Sequence, residues 1–173
     1  MIDAVFLNGT VGAGKTTVAE AVSALLTTST SGTHAIVDID GARGLRPSPV
    51  GDPFQHELEL ENLRDLARNY RHAGATRLVL AGVIESAVEL PRYRAALGTD
   101  GLLVCRLTVR PEVAAARLAA RHADDPEGRR RHLARTLELA AILDQADLDD
   151  VVLDASDESP VVLAQRVRSA ASW

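Results

Sequence analysis

The sequence predicts a three-layer α/β sandwich in which helices cover both faces of a five-stranded parallel sheet. Short apolar runs alternate with longer segments of helical periodicity, an order typical of parallel sheets. The 173 residues suffice for one compact core, and the connecting segments are too short to separate domains. We therefore expect a single domain over residues 1–173.

Five apolar runs have the length and composition of buried strands, because each is short and largely free of charge. The predicted strands are Ile2–Leu7, Ala35–Ile39, Arg77–Val83, Leu102–Val109 and Val151–Leu153. Residues 41–53 contain three glycines and three prolines, and we expect them to form a loop. Cys105 is the only cysteine, and its place within the fourth strand predicts a buried apolar residue.

Helical spacing of apolar residues fills the segments between the strands. The predicted helices are Thr16–Leu26, Phe54–Ala73, a short one between Pro91 and Gly98, one that begins at Pro111, Arg129–Gln145 and Val161–Ala171. Gly74 is expected to stop the second helix, and Asp124–Gly128 to interrupt the helical pattern before Arg129. Phe54 and Tyr70 are expected to pack the second helix into the core.

Charge and composition exclude several classes of function. The formal net charge is −5, whereas proteins that bind nucleic acid in general present a basic face. No apolar run approaches the roughly 20 residues of a membrane span, and Met1-Ile2-Asp3 lacks the basic stretch of a signal peptide. We therefore expect a cytoplasmic protein, either a monomer or a homodimer, with no membrane partner.

The first strand is followed by the sequence G-T-V-G-A-G-K-T, which fits the phosphate-loop pattern G-x-x-x-x-G-K-[ST]. Glycines let successive backbone N–H groups turn towards phosphate oxygens, and the helix that follows presents its positive end to them. Lys15 would neutralise the β- and γ-phosphates, and the Thr16 hydroxyl would ligate Mg²⁺. The predicted nucleotide-binding residues in this segment are Gly9, Val11, Gly12, Ala13, Gly14, Lys15, Thr16 and Thr17.

Two acidic residues, Asp38 and Asp40, end the second predicted strand. Alternation along a strand would place both on one side, with Ile39 on the other. Ligands of open parallel sheets bind beyond the carboxyl ends of the strands, which would bring both acids beside the phosphate loop. A solvated strand end that turns at Gly41 is the structural alternative, because Asp-Gly is a common turn pair.

The loop G-T-V-G-A-G-K-T-T-V with D-I-D-G-A-R some twenty residues later resembles the small-molecule kinases of the nucleoside-monophosphate-kinase-like fold. Shikimate kinase has a similar D-x-D, adenylylsulfate kinase a similar D-G-D-x-x-R, and the gluconate kinases belong to the same group. The resemblance implies that Asp38 organises Mg²⁺ or accepts a proton, Asp40 contacts the acceptor hydroxyl, and Arg43 binds an anionic group. The stretch Ala81–Glu85 departs from shikimate kinase, which has a glycine triplet there.

An arginine-rich segment over about residues 117–135 is predicted to form a lid. Arg117 and Arg121 share one helical face, and arginines also occur at positions 129, 130, 131 and 135. In the kinases that the chain resembles, the matching segment brings arginines to ATP, where they stabilise the transferred phosphoryl group. A solvated helix face is the alternative; a nucleic-acid patch is less favoured because no aromatic residue interleaves.

The leading hypothesis is ATP-dependent, Mg²⁺-assisted transfer of the γ-phosphoryl group to a hydroxyl or phosphate of a small molecule. Lys15, Asp38, Asp40 and Arg117 would be the catalytic residues, with Thr16 and Asp38 as metal ligands. The acceptor would bind over about residues 40–74, with Asp40, Arg43 and Glu85 as contacts and with Arg46 and Arg64 available for an anionic group. A nucleoside monophosphate kinase, a non-catalytic nucleotide-binding switch and a polynucleotide kinase are the alternatives, the last being the least favoured.

Overall fold

The computed structural model describes residues 1–28 and 32–173. These residues build one five-stranded sheet in the order β2-β3-β1-β4-β5, with every neighbouring pair parallel. The strands are β1 (Ala4–Gly9), β2 (His34–Asp38), β3 (Arg77–Ala81), β4 (Leu102–Thr108) and β5 (Val151–Asp154). The central strand β1 is buried along its whole length, as expected for a parallel strand covered on both faces.

Six α-helices connect and follow the strands in the described part of the chain. They are α1 (Lys15–Thr28), α2 (His56–His72), α3 (Leu90–Leu97), α4 (Pro111–Arg121), α5 (Pro126–Ala146) and α6 (Pro160–Ala170). Two short 3-10 helices, Ile39–Arg43 and Ala87–Glu89, precede α2 and α3. None of the described helices combines the length and apolar character needed to cross a membrane.

Two apolar cores lie on opposite faces of the sheet. On one face, Phe6 and Leu80 pack with side chains of α2 and α3, such as Leu63 and Tyr93. On the other face, α1 and α6 cover the sheet through residues that include Val22, Leu163 and Val167. Alternate residues of each strand therefore serve opposite layers, and the predicted three-layer fold with its parallel sheet is confirmed.

The aromatic residues of the core differ from the prediction. Phe54 is 80% exposed and Tyr70 is 37% exposed, so the expectation that they pack α2 is wrong. Phe6 and Tyr93 are buried instead, with their ring centroids 5.5 Å apart in an edge-to-face arrangement. Cys105 is buried as predicted, and burial raises the pKa of its thiol to about 12.

Local backbone chemistry explains why α2 begins after Phe54. Gln55 has a left-handed conformation with φ of 58°, which a helix interior does not accommodate. The Asp52 carboxylate then accepts hydrogen bonds from the N–H groups of His56 and Leu58, at 2.7 and 3.2 Å. These are among the N–H groups that have no partner within the first turn of a helix.

The break between α4 and α5 is shorter than predicted. Only residues 122–125 are non-helical, because α5 begins at Pro126 rather than at Arg129. Proline suits the first turn of a helix, and the Asp125 side chain accepts a hydrogen bond from the N–H of Gly128 at 2.8 Å. The prediction that residues 126–128 interrupt the helix is therefore wrong, and the expected lid is two long helices joined by a tight turn.

Candidate functional site

A cavity of about 650 Å³ opens at the carboxyl ends of the strands, between the phosphate loop and the helices α4 and α5. This is the edge of the sheet at which open parallel folds bind ligands. The cavity brings together nearly all predicted site residues: Val11, Gly12, Ala13, Gly14, Lys15, Thr16, Thr17, Asp38, Asp40, Arg43, Glu85, Arg117 and Arg121. Gly9 is the exception: it lies outside the cavity lining and packs against Leu107 of β4.

The phosphate loop depends on glycines at positions where the backbone has positive φ. Gly9, Gly12 and Gly14 have φ values of 144°, 85° and 93°. A Cβ atom on Gly9 would stand 2.5 Å from the carbonyl oxygen of Leu107 on β4, so the first position tolerates no side chain. The loop can therefore curl closely against the sheet before α1 begins at Lys15.

Lys15 is folded back onto its own loop. Its ammonium group donates to the carbonyl oxygens of Gly9 and Thr10, each at 3.0 Å. Desolvation lowers the pKa of Lys15, whereas the negative charges of Asp40 and Asp38 oppose that shift. The ammonium group is thus held at the loop by neutral carbonyl oxygens, which the charged oxygens of an anion could replace.

Asp38 and Asp40 reach the cavity by a different route from the predicted one. Strand β2 ends at Asp38, and Ile39–Arg43 form a 3-10 helix, so the expectation that Ile39 continues the strand and that alternation orients Asp40 is wrong. The Asp38 carboxylate caps this turn by accepting from the N–H of Asp40 at 3.1 Å. Its other oxygen accepts from the Thr16 hydroxyl at 3.2 Å, which joins β2 to the phosphate loop.

The two predicted arginines of α4 have different surroundings. Arg117 donates to the carbonyl oxygens of Gly12, at 3.2 Å, and Ala155, at 2.7 Å, so it ties the phosphate loop to the segment after β5. Arg121 lines the same cavity one turn further along α4, and its guanidinium makes no hydrogen bond or ion pair with the described residues. Arg121 is therefore available to a ligand without losing a protein contact.

Helix α5 contributes groups that the sequence did not single out. The Thr136 hydroxyl donates to the carbonyl oxygen of Val11 at 3.0 Å, which fixes α5 on the phosphate loop. His132 lines the cavity and lies 2.7 Å from a ring nitrogen of His122 at the end of α4. Desolvation lowers the pKa of His132, and the charges of His122 and Arg121 lower it further.

A buried carboxylate, Glu59, stands behind Arg43. Glu59 is fully buried and accepts hydrogen bonds from the Arg43 Nε–H and from the Tyr93 hydroxyl. Burial alone would lower the pKa of Arg43, but the hydrogen bond and charge of Glu59 outweigh it and raise that pKa. Burial and the charge of Glu59 also raise the pKa of Tyr93. A sequence signal exists, since Glu59 shares a four-residue spacing with the buried Leu63 and Ala67.

Other charged residues named from the sequence either have protein partners or lie outside the cavity lining. Glu85 lines the cavity and forms an ion pair with Arg135 of α5, which also contacts Glu138 at 2.8 Å. Arg46 donates to the carbonyl oxygens of Arg43 and Leu45. The arginines at positions 64, 129, 130 and 131 are exposed and lie outside the cavity lining.

One buried amide, Asn8, connects the two sides of the cavity. Its Oδ1 atom accepts from the N–H of Gly9 at 3.0 Å and from the N–H of Ile84 at 3.2 Å. Its Nδ2 atom donates to the carbonyl oxygen of Ile84 at 3.2 Å. The same side chain therefore holds the phosphate loop and the segment that carries Glu85. Its burial is tolerated because both its amide oxygen and its amide nitrogen have hydrogen-bond partners.

Comparison with solved structures finds the same architecture in many proteins, among them the following three, which match over nearly their full lengths. A sugar kinase from Janibacter sp. HTCC2649 matches with a TM-score of 0.66 and 20% identity, covering 99% of this chain and 95% of the other. The tunicamycin resistance protein of Deinococcus radiodurans matches with a TM-score of 0.65 and 17% identity, covering 98% and 95%. Shikimate kinase from Bacteroides thetaiotaomicron matches with a TM-score of 0.65 and 17% identity, covering 98% of each chain.

A family model described as an AAA domain matches residues 5–138, which include the phosphate loop, the acidic turn after β2 and most of α5. No match to the chain is found among curated proteins. At these identities the structural matches establish the fold, and the predicted resemblance to shikimate kinase and its group is confirmed at that level. The chain belongs to the AAA-domain family, and its fold is that of the nucleoside-monophosphate-kinase-like P-loop kinases.

Proposed function

We propose that the protein is a phosphotransferase that moves the γ-phosphoryl group of ATP to a small-molecule acceptor with the assistance of Mg²⁺. The observation that carries this proposal is the contact of Thr16 with Asp38, at 3.2 Å, inside the cavity that also contains Asp40 and Arg43. A phosphate loop alone would indicate nucleotide binding. Transfer to an acceptor additionally requires acidic groups beside the loop in the same cavity.

The nucleotide's phosphates would bind over the N–H groups of the loop and the first turn of α1. Lys15 would exchange the carbonyl oxygens of Gly9 and Thr10 for phosphate oxygens, an exchange favoured because ionised acceptors form stronger hydrogen bonds than neutral ones. Arg121, which has no competing protein partner among the described residues, would add a second positive charge. Arg117 would hold the loop in place through its contact with Gly12.

The residues present fit a magnesium ion. A hydroxyl and a carboxylate 3.2 Å apart supply oxygen donors, and Mg²⁺ in phosphotransferases is usually held by one or two protein oxygens together with phosphate oxygens and water. When bound, the ion would neutralise charge that builds on the transferred group. Thr16 and Asp38 are therefore the proposed metal-side residues.

Asp40 is the better candidate for the base at the acceptor. Both oxygens of Asp38 are already engaged, with the Thr16 hydroxyl and with the N–H of Asp40. We assign the proton of the acceptor hydroxyl to the Asp40 carboxylate as the acceptor oxygen bonds to the γ-phosphorus and the bond to the β–γ bridging oxygen breaks. ADP leaves with the electron pair of that bond, so charge and atoms balance.

The fold matches support this proposal over other uses of a phosphate loop, since one matched structure is named a sugar kinase and another a shikimate kinase. Substitution of Lys15 by Ala provides the test, with transfer of labelled phosphate from ATP to a panel of hydroxyl-bearing small molecules as the readout. We expect a loss of about a thousandfold in the transfer rate. Arg64→Ala, which changes an exposed charge outside the cavity, serves as the control. Undiminished transfer by the Lys15 variant would contradict the proposal.

A further inference from the structure

Resting on the proposed function, we infer that the acceptor is an uncharged polyhydroxylated molecule and not a carboxylate or a phosphate ester. The inference concerns the acceptor half of the cavity, defined here as Asp40, Arg43, Glu85 and Arg135 with the buried Glu59 behind them. Recognition of an anionic acceptor requires a positive charge that is not already compensated. The acceptor half contains no such charge among the described residues.

Both guanidinium groups of the acceptor half are compensated by carboxylates. Arg43 forms an ion pair with Glu59, whose side chain is fully buried and whose charge cannot be moved away by rotation into solvent. Arg135 forms ion pairs with Glu85 and with Glu138. An anionic acceptor would have to compete with these carboxylates for the same cations.

The other arginines of residues 40–74 are directed elsewhere. Arg46 donates hydrogen bonds to backbone carbonyl oxygens of its own loop. None of the remaining arginines of this region lines the cavity: Arg64 is exposed, Arg68 pairs with Asp65 at 3.0 Å, and Arg71 pairs with Asp3 at 3.2 Å. The expectation from the sequence that Arg43, Arg46 and Arg64 are available for an anionic group therefore lacks support in the structure.

Negative charge predominates at this end. Three of the carboxylates that line the cavity, those of Asp38, Asp40 and Glu85, are at this end, and Glu59 adds a fourth beneath its surface. They outnumber the two guanidinium groups of the acceptor half, those of Arg43 and Arg135. Even with a divalent cation at Asp38, a second anion beside the γ-phosphate would be repelled rather than attracted. Such an arrangement favours an acceptor with no formal charge.

Hydroxyl groups fit the hydrogen-bonding groups that remain. Arg43 uses its Nε–H for Glu59 and also contacts the Tyr93 hydroxyl, and its guanidinium lines the cavity. A guanidinium has five N–H donors, so those that these two partners do not use can donate to a ligand oxygen. Asp40 and Glu85 present carboxylate oxygens, which can only accept when ionised. A molecule with several hydroxyl groups donates and accepts at once, so it can satisfy both kinds of partner without bringing charge.

The experiment compares matched acceptors that differ in charge. Transfer from ATP is measured to glucose against gluconate and glucose 6-phosphate, to ribose against ribonate and ribose 5-phosphate, and to uridine against uridine monophosphate. We expect the neutral member of a pair to have a kcat/KM higher by about tenfold or more. A higher kcat/KM for the anionic members would overturn the inference while leaving the proposed phosphotransferase intact.

Substitution of Glu59 by Gln tests whether the buried charge sets this preference. The variant removes one negative charge and keeps the shape, so it should raise the ratio of anionic to neutral kcat/KM by about tenfold. Tyr93→Phe is the matched control, because it removes the other hydrogen bond of Glu59 and leaves the charge in place. An unchanged ratio in Glu59→Gln, or an equal change in both variants, would overturn the inference. If Glu59→Gln does not fold, the partly exposed Glu85→Gln takes its place with the same expected direction.

Calorimetry separates failure of this inference from failure of the proposed function. Binding of a non-hydrolysable ATP analogue with Mg²⁺ is measured first, and no binding would refute the phosphotransferase itself. If the nucleotide binds and no acceptor of the panel reacts, inorganic phosphate and gluconate are titrated into the protein–nucleotide complex at millimolar concentrations. Saturable binding of either anion by the wild-type protein would overturn the inference, and its absence would support it.

Discussion

The two halves of the cavity are built in different ways. The proposed nucleotide half, residues 11–17 with Arg117 and Arg121, takes its shape from a continuous piece of backbone whose bends are set by glycines. The acceptor half depends on side chains that meet across the chain, since the hydroxyl of Tyr93 lies 34 residues from Glu59 and Arg135 lies 50 residues from Glu85. A phosphate site can therefore be predicted from a short motif, whereas the proposed acceptor site depends on long-range pairs.

Substitution of Asp38 by Asn tests the residue that joins the two halves. Asparagine keeps one oxygen acceptor and loses the charge that Mg²⁺ requires, so we expect transfer to fall by about a thousandfold with little loss of stability. Initial rates over a range of Mg²⁺ concentrations measure this effect. The exposed Asp124→Asn is the control, and a rate fully restored at high Mg²⁺ would restrict the role of Asp38 to affinity.

Substitution of Gly82 by Ala would disturb the acceptor half without altering a charge. A Cβ atom on Gly82 would stand 2.7 Å from Ile39, the residue between Asp38 and Asp40, and 3.1 Å from Phe6. We expect a loss of about 1–3 kcal/mol in the free energy of unfolding, measured by urea denaturation. Gly41→Ala is the matched control, because a Cβ atom there meets nothing within 4 Å. Equal effects of the two changes would show that Gly82 is not closely packed.

Replacing Arg117 and Arg121 by Ala in turn sharpens the account of the nucleotide half. Arg117→Ala removes hydrogen bonds to the loop and should lower the free energy of unfolding by about 1 kcal/mol and raise the KM for ATP about tenfold. Arg121→Ala removes no contact within the described chain, so only the transfer kinetics should change. Thermal unfolding without nucleotide distinguishes them. Equal destabilisation by both changes would contradict the assignment, and the exposed Arg130→Ala is the control.

The smallest expected effect is a pH dependence from His132 on the helix above the loop. Its pKa is lowered in the folded state by desolvation, His122, Arg121 and Arg131, with Asp125 opposing them. The unfolded chain therefore takes up the proton first as pH falls below the ordinary value of 6.5. The free energy of unfolding should decline as the pH falls from 6.5 to the lowered pKa of folded His132. At neutral pH the stabilising contribution of His132 should be fully present. His132→Gln should flatten this slope in urea denaturation, and the exposed His72→Gln should leave it unchanged.

Much of the fold could be predicted from the sequence, because its elements are specified by residues close together in the chain. Apolar strands such as β1 and first-turn prolines such as Pro111 act over a few residues, and the observed elements follow them. The errors arise where a side chain overrides the local pattern. The Asp38 carboxylate caps a turn and ends β2, and Phe54 precedes a left-handed residue that delays α2.

The candidate site follows the same division. The phosphate loop is fully specified by its spacing, whereas Glu59, Thr136 and Arg135 act through partners that no local pattern reveals. The burial of Glu59 could be suspected from its helical spacing with Leu63, but its contact with Arg43 depends on how α2 packs against the turn after β2. Charge compensation depends on which residues form ion pairs, and a single sequence does not show which residues pair.

The buried amide of Asn8 has a consequence for how the two substrates can be positioned. One side chain bonds to both Gly9 and Ile84, so it joins the phosphate loop to the neighbour of Glu85 at the end of the central strand. The backbone bond from the N–H of Gly82 to the carbonyl oxygen of Leu7 joins the same two segments. On the proposed function, the distance between the transferred phosphoryl group and the acceptor would be set by the sheet rather than by closure of a loop. A change of Glu59 or Glu85 could then alter the choice of acceptor without altering that distance.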